Sequence, residues 1–405
     1  MCPSKPNGLI SDLEEQYLRK ISHELRLRLA VKVLQLLATI WLISPGVHAQ
    51  SLEDGGRRGL VLGYVAGWVP AAEALAAIPH VDKLIFMDLQ IQADGRVVNQ
   101  YGWPKNWTEL RVAAALNGVP FEVALTQFKA SDFNALFRSE ENIRKFQNEL
   151  LRHASDVFVT GIHMDVELFE SIDPAAVVRY RQFLVSIKRQ LQSLSPPRTL
   201  SGFFFSGAGS TLYDADVLQV FDQIIVQGYD VHWLGGSSAG PVAPLMGPDR
   251  GNWNDGLSAI QALSVPTEKL VFGFPAYGYE WPVKPCLPRG ARIGNGRITT
   301  YAQINLPGAP SIEFNAMDRV SKYGMYRDLE TGSAYYQFGK QDDNCTVGWF
   351  EDKESLERKL DWLVEQKLGG LAVFPLGYDN GHLVQLAATK LRAAHSPQPI
   401  KLDTQ

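Results

Sequence analysis

The chain predicts an α/β fold: a closed (β/α)8 barrel of the TIM type, with a small α+β insertion between its seventh and eighth strands. Three observations carry that expectation. Short apolar runs alternate with helical patterns from residue 59 to residue 394, which implies parallel strands joined by right-handed crossovers, and eight such units suit a closed barrel better than an open sheet. No Gly-x-Gly-x-x-Gly or phosphate loop follows the first strand, which counts against a nucleotide-binding doubly wound sheet. Residues able to do chemistry gather at the C-terminal ends of the apolar runs, where a barrel of this kind places its working groups.

Taken in order, Gly59–Trp68 reads as a buried first strand ending on an aromatic residue, and Ala71–Ala77 as a short helix. Lys83–Leu89 is the second strand and Thr108–Leu116 a helix; Glu122–Gln127 is the third strand. Ser131–His153 reads as one helix, with Phe133, Leu136, Phe137, Ile143, Phe146, Leu150 and Leu151 at helical spacing. Val157–Glu167, rich in β-branched residues, is the fourth strand. Pro174–Leu194 is a long amphipathic helix with proline in its first turn, where its fixed φ and missing N–H cost nothing. Leu200–Phe205 is the fifth strand, Asp214–Val220 a short helix, and Asp222–Asp230 the sixth strand. A helix at Asn254–Leu263 leads to the seventh strand, Leu270–Pro275. Lys353–Lys367 is a helix, Gly370–Pro375 the eighth strand, and Gly381–Ala394 the last helix. Residues 282–345 break this rhythm and form the insertion, one wall of a cleft; residues 55–281 and 346–394 form the barrel, and 395–405 a C-terminal tail.

Composition narrows the class. A chain of 405 residues, 45% hydrophobic with 35 Gly and 23 Pro, suits a loop-rich globular protein larger than a single simple core. Its formal net charge of −4 gives no electrostatic case for nucleic acid or an anionic membrane. Nine Trp and 14 Tyr are many, and aromatic faces beyond the needs of a core stack on flat ligands such as sugars. Val33–Ile43 is too short an apolar run to span a bilayer; Arg26, Arg28 and Lys32 precede it, and small residues follow at Pro45–Ala49. Residues 1–49 therefore read as a leader with a secretory signal, cleaved after Ala49, although its polar n-region is unusually long. Beyond the leader, Cys286 and Cys345 are left as one disulfide or as two separate thiols. No His/Cys/Asp cluster has metal-ligand spacing, so neither a metal nor a cofactor is expected.

The fourth strand carries the chemistry. Side chains alternate along a strand, so His163, Asp165 and Glu167 share one face, with Met164 and Val166 on the other. The Asp165 and Glu167 Cα atoms are then roughly 6–7 Å apart. Two carboxyls that close perturb each other: one ionises and the other keeps its proton, the condition for a general acid near neutral pH. By the same count Trp68, Tyr229, Asp230, Tyr277 and Phe374 also fall at strand ends.

At these residues the chain resembles glycoside hydrolase family 18, the chitinase family. The signature Asp-Gly-x-Asp-x-Asp-x-Glu aligns without gaps on Thr160–Glu167; Gly63, Tyr64 and Trp68 are similar to the first strand's Gly-Tyr…Trp, and Gln227–Asp230 to the sixth strand's Met-x-Tyr-Asp. Gly273–Gly278 follows the Gly-x-Pro-x-Tyr-Gly of the seventh strand, and Gly369–Asp379 the eighth, with Phe374 in the place of the usual Trp. The resemblance implies substrate-assisted retaining hydrolysis of β-linked N-acetylglucosamine glycans, the exception among retaining glycosidases that needs no enzyme nucleophile. Glu167 would then be the general acid; Asp165 would orient the acetamido N–H, Tyr229 would bond its carbonyl, and Asp230 would help hold the sugar. Phe374, Trp68 and Trp233 would form the apolar floor.

The chain also departs from that pattern. Thr160 and His163 stand where the signature has aspartates, and Thr126-Gln127-Phe128 replaces the third strand's Ser-x-Gly-Gly. A charged imidazolium at 163 would partner Asp165, hold it ionised and facing inward, and shift the pH range of activity. The alternative is a glycan-binding, lectin-like barrel with weak or lost chemistry; a barrel acting on a protein partner is a third. Retention of both Asp165 and Glu167 favours the enzyme.

Overall fold

A computed structural model describes residues 59–205, 211–302, 312 and 314–394. The leader with its expected cleavage after Ala49, the start of the barrel at 55 and the tail at 395–405 lie outside the described residues.

The barrel closes as expected. Strands β1 (Leu60–Ala66), β2 (Lys83–Ile91), β4 (Phe121–Gln127), β5 (Gly161–Val166), β6 (Thr199–Phe204), β7 (Gln223–Val226), β8 (Leu270–Pro275) and β15 (Gly370–Phe374) pair in parallel in that order, and β1 pairs with both β2 and β15. The hairpin strand β3 (Val97–Asn99), absent from the expectation, adds antiparallel to the end of β2. Helices α1 (Ala71–Ala77), α2 (Thr108–Leu116), α3 (Ala130–Arg138), α4 (Glu140–Ala154), α5 (Pro174–Ser193), α6 (Ala215–Leu218) and α7 (Trp253–Gln261) fill the crossovers up to β8. Helix α5 starts on the Asp173 cap, whose side chain accepts from the Ala175 N–H, followed at once by Pro174.

The expected single helix at 131–153 is two. Ser139 takes an extended backbone and its side chain accepts from the Asn142 N–H, ending α3 and capping α4. Such a cap competes with the helix through the same backbone donors that helix continuation would use. Strand β7 is shorter than expected as well. After the Gln227 N–H bonds the Phe204 carbonyl at 2.9 Å, the Trp253 indole donates to the Gly228 carbonyl at 2.7 Å, and residues 228–230 leave the ladder with Tyr229 and Asp230 at the mouth.

Inside the barrel, Leu62, Tyr64, Ile85, Ala124, Phe203, Ile225, Val271 and Ala372 pack together, the inward residues of alternate positions. Beneath them the filling turns polar: Lys83 Nζ lies 2.6 Å from Glu122 Oε1 and 2.5 Å from Gln223 Oε1. A buried ion pair is weak evidence of stability as a whole, but losing one partner strands the other charge in a dry interior.

The insertion is a second sheet, ordered β10 (Ala291–Arg292), β9 (Tyr277–Lys284), β14 (Asn344–Phe350), β13 (Ala334–Gln341) and β12 (Tyr326–Arg327), with β11 (Arg297–Thr300) also on β9 and α8 (Ala316–Tyr323) beside it. It begins at Tyr277 and ends at Phe350, wider than the expected 282–345, because β9 follows β8 with only Ala276 between. Trp281 and Trp349 are fully buried in it. Its carboxylate Glu280 is also buried, held by Arg297, by Arg319 at 3.1 Å and by the Tyr336 hydroxyl at 3.1 Å. Helices α9 (Lys353–Glu365) and α10 (His382–Ala394) then flank β15 and complete the barrel. Cys286 and Cys345 form a disulfide across a sequence separation of 59 residues, the paired alternative of the two left open.

Closing a loop of that length restricts the unfolded chain, an effect worth about 2–4 kcal/mol. The double variant Cys286→Ser/Cys345→Ser is expected to lose that amount in urea unfolding, and addition of a reductant should shift the native protein's midpoint but leave the variant's unchanged.

Candidate active site

The end of β5 is held in place on both sides. Thr160 Oγ1 accepts from the Phe121 N–H at 2.9 Å at the strand's entry, and at its exit the Glu167 N–H donates to the Gln127 carbonyl at 3.0 Å. Gln127 is tied in turn, its Nε2 donating to the Ile91 carbonyl at 2.7 Å. Asp165 is buried and Glu167 half-buried at the mouth, with their carboxyls in hydrogen-bonding contact.

Burial and the charge of Asp88 push Asp165 up to about 7, against the lowering effect of its contact with Glu167. Burial, then the charges of Asp165 and Asp230, raise Glu167 well above the usual carboxyl range. The proton of the pair therefore resides on Glu167, and Asp165 is the member that ionises first. Asp165 Oδ1 is buried without a hydrogen-bond partner. An orphaned carboxylate oxygen in a dry site is costly unless a ligand brings a donor to it.

Asp88 was not among the expected site residues. The β2–β4 register shifts between Phe86 and Leu89, and that bulge turns Asp88 to accept from Thr126 Oγ1 at 2.7 Å. An acid near the end of an apolar strand was the available signal.

Asp230 sits at φ 61, a left-handed conformation uncommon for residues other than glycine, four residues beyond the end of β7. Its Oδ1 accepts from Tyr277 at 2.7 Å and from Tyr279 at 2.9 Å. The two tyrosines are two positions apart on β9 and so share a face. Burial raises the Asp230 carboxyl, while these two hydroxyls pull the other way. Tyr279 is thus a further member of the site, visible in the sequence only as an alternating Tyr-x-Tyr at 277–279.

Phe374 is the hub of the aromatic floor. Its ring stacks on Tyr229 at 6.0 Å and meets Tyr64, Trp68 and Tyr277 edge-on at 5.5, 6.3 and 6.2 Å. The Trp68 indole donates to the Tyr378 hydroxyl at 3.1 Å. Trp233 is not part of this cluster: it is 55% exposed on the loop after β7, its side chain lying over Gly235. The expected shared floor therefore consists of Phe374 and Trp68 with the tyrosines.

His163 also differs from expectation. It is fully buried, with Nε2 3.0 Å from the Tyr64 hydroxyl and Nδ1 2.8 Å from Ser201 Oγ, so neither ring nitrogen is left for Asp165. Burial lowers it to about 4, with Glu122 opposing and Lys83 reinforcing that shift, and the ring is neutral rather than an imidazolium. Among the described residues no His/Cys/Asp/Glu group is arranged to hold a metal ion.

With two coupled carboxyls at the mouth of a closed barrel, one still protonated, beside an aromatic floor, the arrangement is that of a glycosidase. The profile of "Glycosyl hydrolases family 18" matches residues 61–379, and the chain belongs to that family. Relatives include the cortical fragment-lytic enzyme of Bacillus anthracis, 24% identical over 336 residues that cover 76% of this chain and 69% of the relative. Another is the probable di-N-acetylchitobiase 1 of Dictyostelium discoideum, 23% identical over 258 residues, 58% of this chain and 67% of the relative. The chain thus spans about two thirds of the length of these two relatives. Among solved structures, a family 18 chitinase mutant of Cycas revoluta in complex with (GlcNAc)4 superposes with a TM-score of 0.70 at 16% identity, covering 82% of this chain and 99% of that one. The spore cortex-lytic enzyme SleL of Bacillus megaterium gives a TM-score of 0.63 at 20% identity over 82% of this chain and 74% of the other. These likenesses establish the same fold.

One glycine governs the floor. A Cβ on Gly273 would lie 2.7 Å from the Tyr229 ring and 3.4 Å from the Val226 carbonyl. Gly273→Ala is expected to overpack the site by about 1–3 kcal/mol and to tilt Tyr229 off Phe374. Urea unfolding checks the first effect, and the tyrosine fluorescence response to added chito-oligosaccharide the second.

Proposed function

We propose that the protein is a retaining glycosidase acting on β-linked N-acetylglucosamine glycans, with Glu167 as general acid. The observation that carries this reading is the proton held on Glu167 beside an Asp165 whose Oδ1 has no partner. A sugar bearing a 2-acetamido group supplies the missing donor through its amide N–H. Asp165, accepting that bond, turns the acetamido carbonyl towards the anomeric carbon, and Tyr229 steadies the carbonyl from the floor. Glu167 gives its proton to the glycosidic oxygen as the C–O bond breaks, and the carbonyl oxygen forms a bond to the anomeric carbon, leaving an oxazolinium-like cation opposite ionised Asp165. Water, deprotonated by Glu167, then opens that ring with net retention. Phe374 and Trp68 receive the apolar face of the sugar, and Asp230 holds its polar edge.

The cortical fragment-lytic and chitobiase relatives support a polymer or oligomer of N-acetylated sugar as substrate. The disulfide supports export, since such bonds persist in oxidising compartments, in line with a signal cleaved after Ala49. Among the described residues no helix is long and apolar enough to cross a membrane.

Incubation of the protein with N-acetylated oligosaccharides, read by product mass, tests this. Glu167→Gln is expected to lose about 10²–10⁴-fold in turnover while still binding. Binding without turnover in the native protein, unchanged in the variant, would establish the lectin-like alternative instead.

The active form needs Asp165 ionised and Glu167 protonated. As pH falls through about 7 Asp165 takes up a proton, and kcat/KM is expected to drop; as pH rises far enough for Glu167 to ionise, it is expected to drop again. A pH profile of kcat/KM without an acid limb near neutrality would contradict this assignment.

A further inference from the structure

Five polar side chains beneath Asp165 take no part in the steps above, yet they form an unbroken buried line through the barrel. Lys83 meets Glu122 at 2.6 Å, Ser201 Oγ meets Glu122 Oε2 at 2.5 Å, His163 Nδ1 meets Ser201 at 2.8 Å, and Tyr64 meets His163 Nε2 at 3.0 Å. Chemistry fixes the direction of every bond from the bottom upward. Burial favours the neutral acid, but the Lys83 charge and the bonds from Lys83 and Ser201 outweigh it, and Glu122 stays ionised. A carboxylate only accepts, so the single Ser201 hydroxyl proton points at Glu122. Towards His163 the serine can then only accept, which makes Nδ1 the protonated nitrogen. In a neutral ring Nε2 is left as an acceptor, and the Tyr64 hydroxyl must donate down to it.

We infer that this line makes His163 a positioning residue: a neutral Nδ1–H imidazole that keeps the Tyr64 proton turned away from the catalytic pair and offers Asp165 no proton partner from below. The pair's proton is then exchanged between Asp165 and Glu167 alone. This rests on the role proposed for that pair. Burial alone would accept either tautomer. The opposite one would leave Tyr64 accepting from Nε2–H and free to aim its own proton at Asp165. The other charges that act on the pair are Asp88 from β2 and Asp230 beyond β7, and the neutral hydroxyls of Tyr64, Tyr229, Tyr180 and Tyr213 in turn feel the pair's charge. Asp88 and Asp230 are reached from other strands, and His163 with its line supplies the floor.

The direct test is a long-range proton–nitrogen NMR spectrum of the 15N-labelled full chain, with the His163 signal identified by its loss in His163→Asn. The expected pattern is protonated Nδ1 and bare Nε2 at neutral pH, still neutral at about pH 5.5, since burial holds the ring down to about 4. An Nε2–H tautomer, or an imidazolium at that pH, overturns the inference. Ser201→Ala removes the acceptor of Nδ1–H and should release the ring towards the other tautomer; an unchanged pattern also overturns it. These readings need no substrate, so they stand apart from success or failure of the glycosidase assignment. Kinetics supply the functional half. His163→Asp puts a titrating acid under Asp165 and should raise the acid limb of kcat/KM by about one pH unit or more through like-charge repulsion. His163→Asn, whose amide accepts from Tyr64 and donates to Ser201, should leave that limb in place. An acid limb that does not move in His163→Asp overturns the inference.

Discussion

Two ionised carboxylates cannot sit side by side in a dry place. At about 4 Å and an effective dielectric near 20, two unit charges repel by about 4 kcal/mol, which is larger than most single contacts in a fold. Asp165 and Glu167 are put in that position by nothing more than a two-residue period on β5 and a closed barrel around it. Asp88 and Asp230 sharpen the conflict by adding negative charge nearby. The site resolves it by keeping one proton, and the surrounding structure determines which group holds it.

Much of the rest serves to keep that conflict in one geometry. The Glu167 backbone is tied to Gln127, and Asp230 is pinned by two hydroxyls at 2.7 and 2.9 Å. The aromatic floor is held together by Phe374, which meets four other aromatic rings. A phenylalanine at that position offers a smaller stacking face than an indole, and the ring of Tyr229 lying nearly parallel to it widens the surface.

The barrel was legible because its evidence is local. Apolar runs and helical patterns each declare themselves within about ten residues, and five motifs lie in the expected order. That Asp165 and Glu167 share a face followed from their spacing alone. What was not legible depends on distant partners. The state of His163 is set by Glu122, Lys83, Ser201 and Tyr64, which lie on four other strands. Asp88 enters the site through a bulge that alternation does not anticipate. The break at Ser139 hides inside an otherwise continuous apolar stripe, because the capping serine is one residue among many that a helix tolerates. Trp233 was expected in the floor from the family resemblance, whereas the loop after β7 leaves it 55% exposed. The pairing of Cys286 with Cys345 needed the register of β9 against β14, in which Cys345 lies opposite Val283.

The insertion leaves the barrel after a single residue, Ala276, and the tyrosines at 277 and 279 reach back to hold Asp230. That linkage makes the smaller sheet part of the catalytic scaffold rather than an ornament hung on a loop. A chimera that exchanged the whole lobe for one from another barrel would import or lose the grip on that aspartate along with the cleft wall. Engineering of substrate range through this wall is therefore best kept away from Tyr277 and Tyr279 and from Trp349 and Phe350, which pair with their strand.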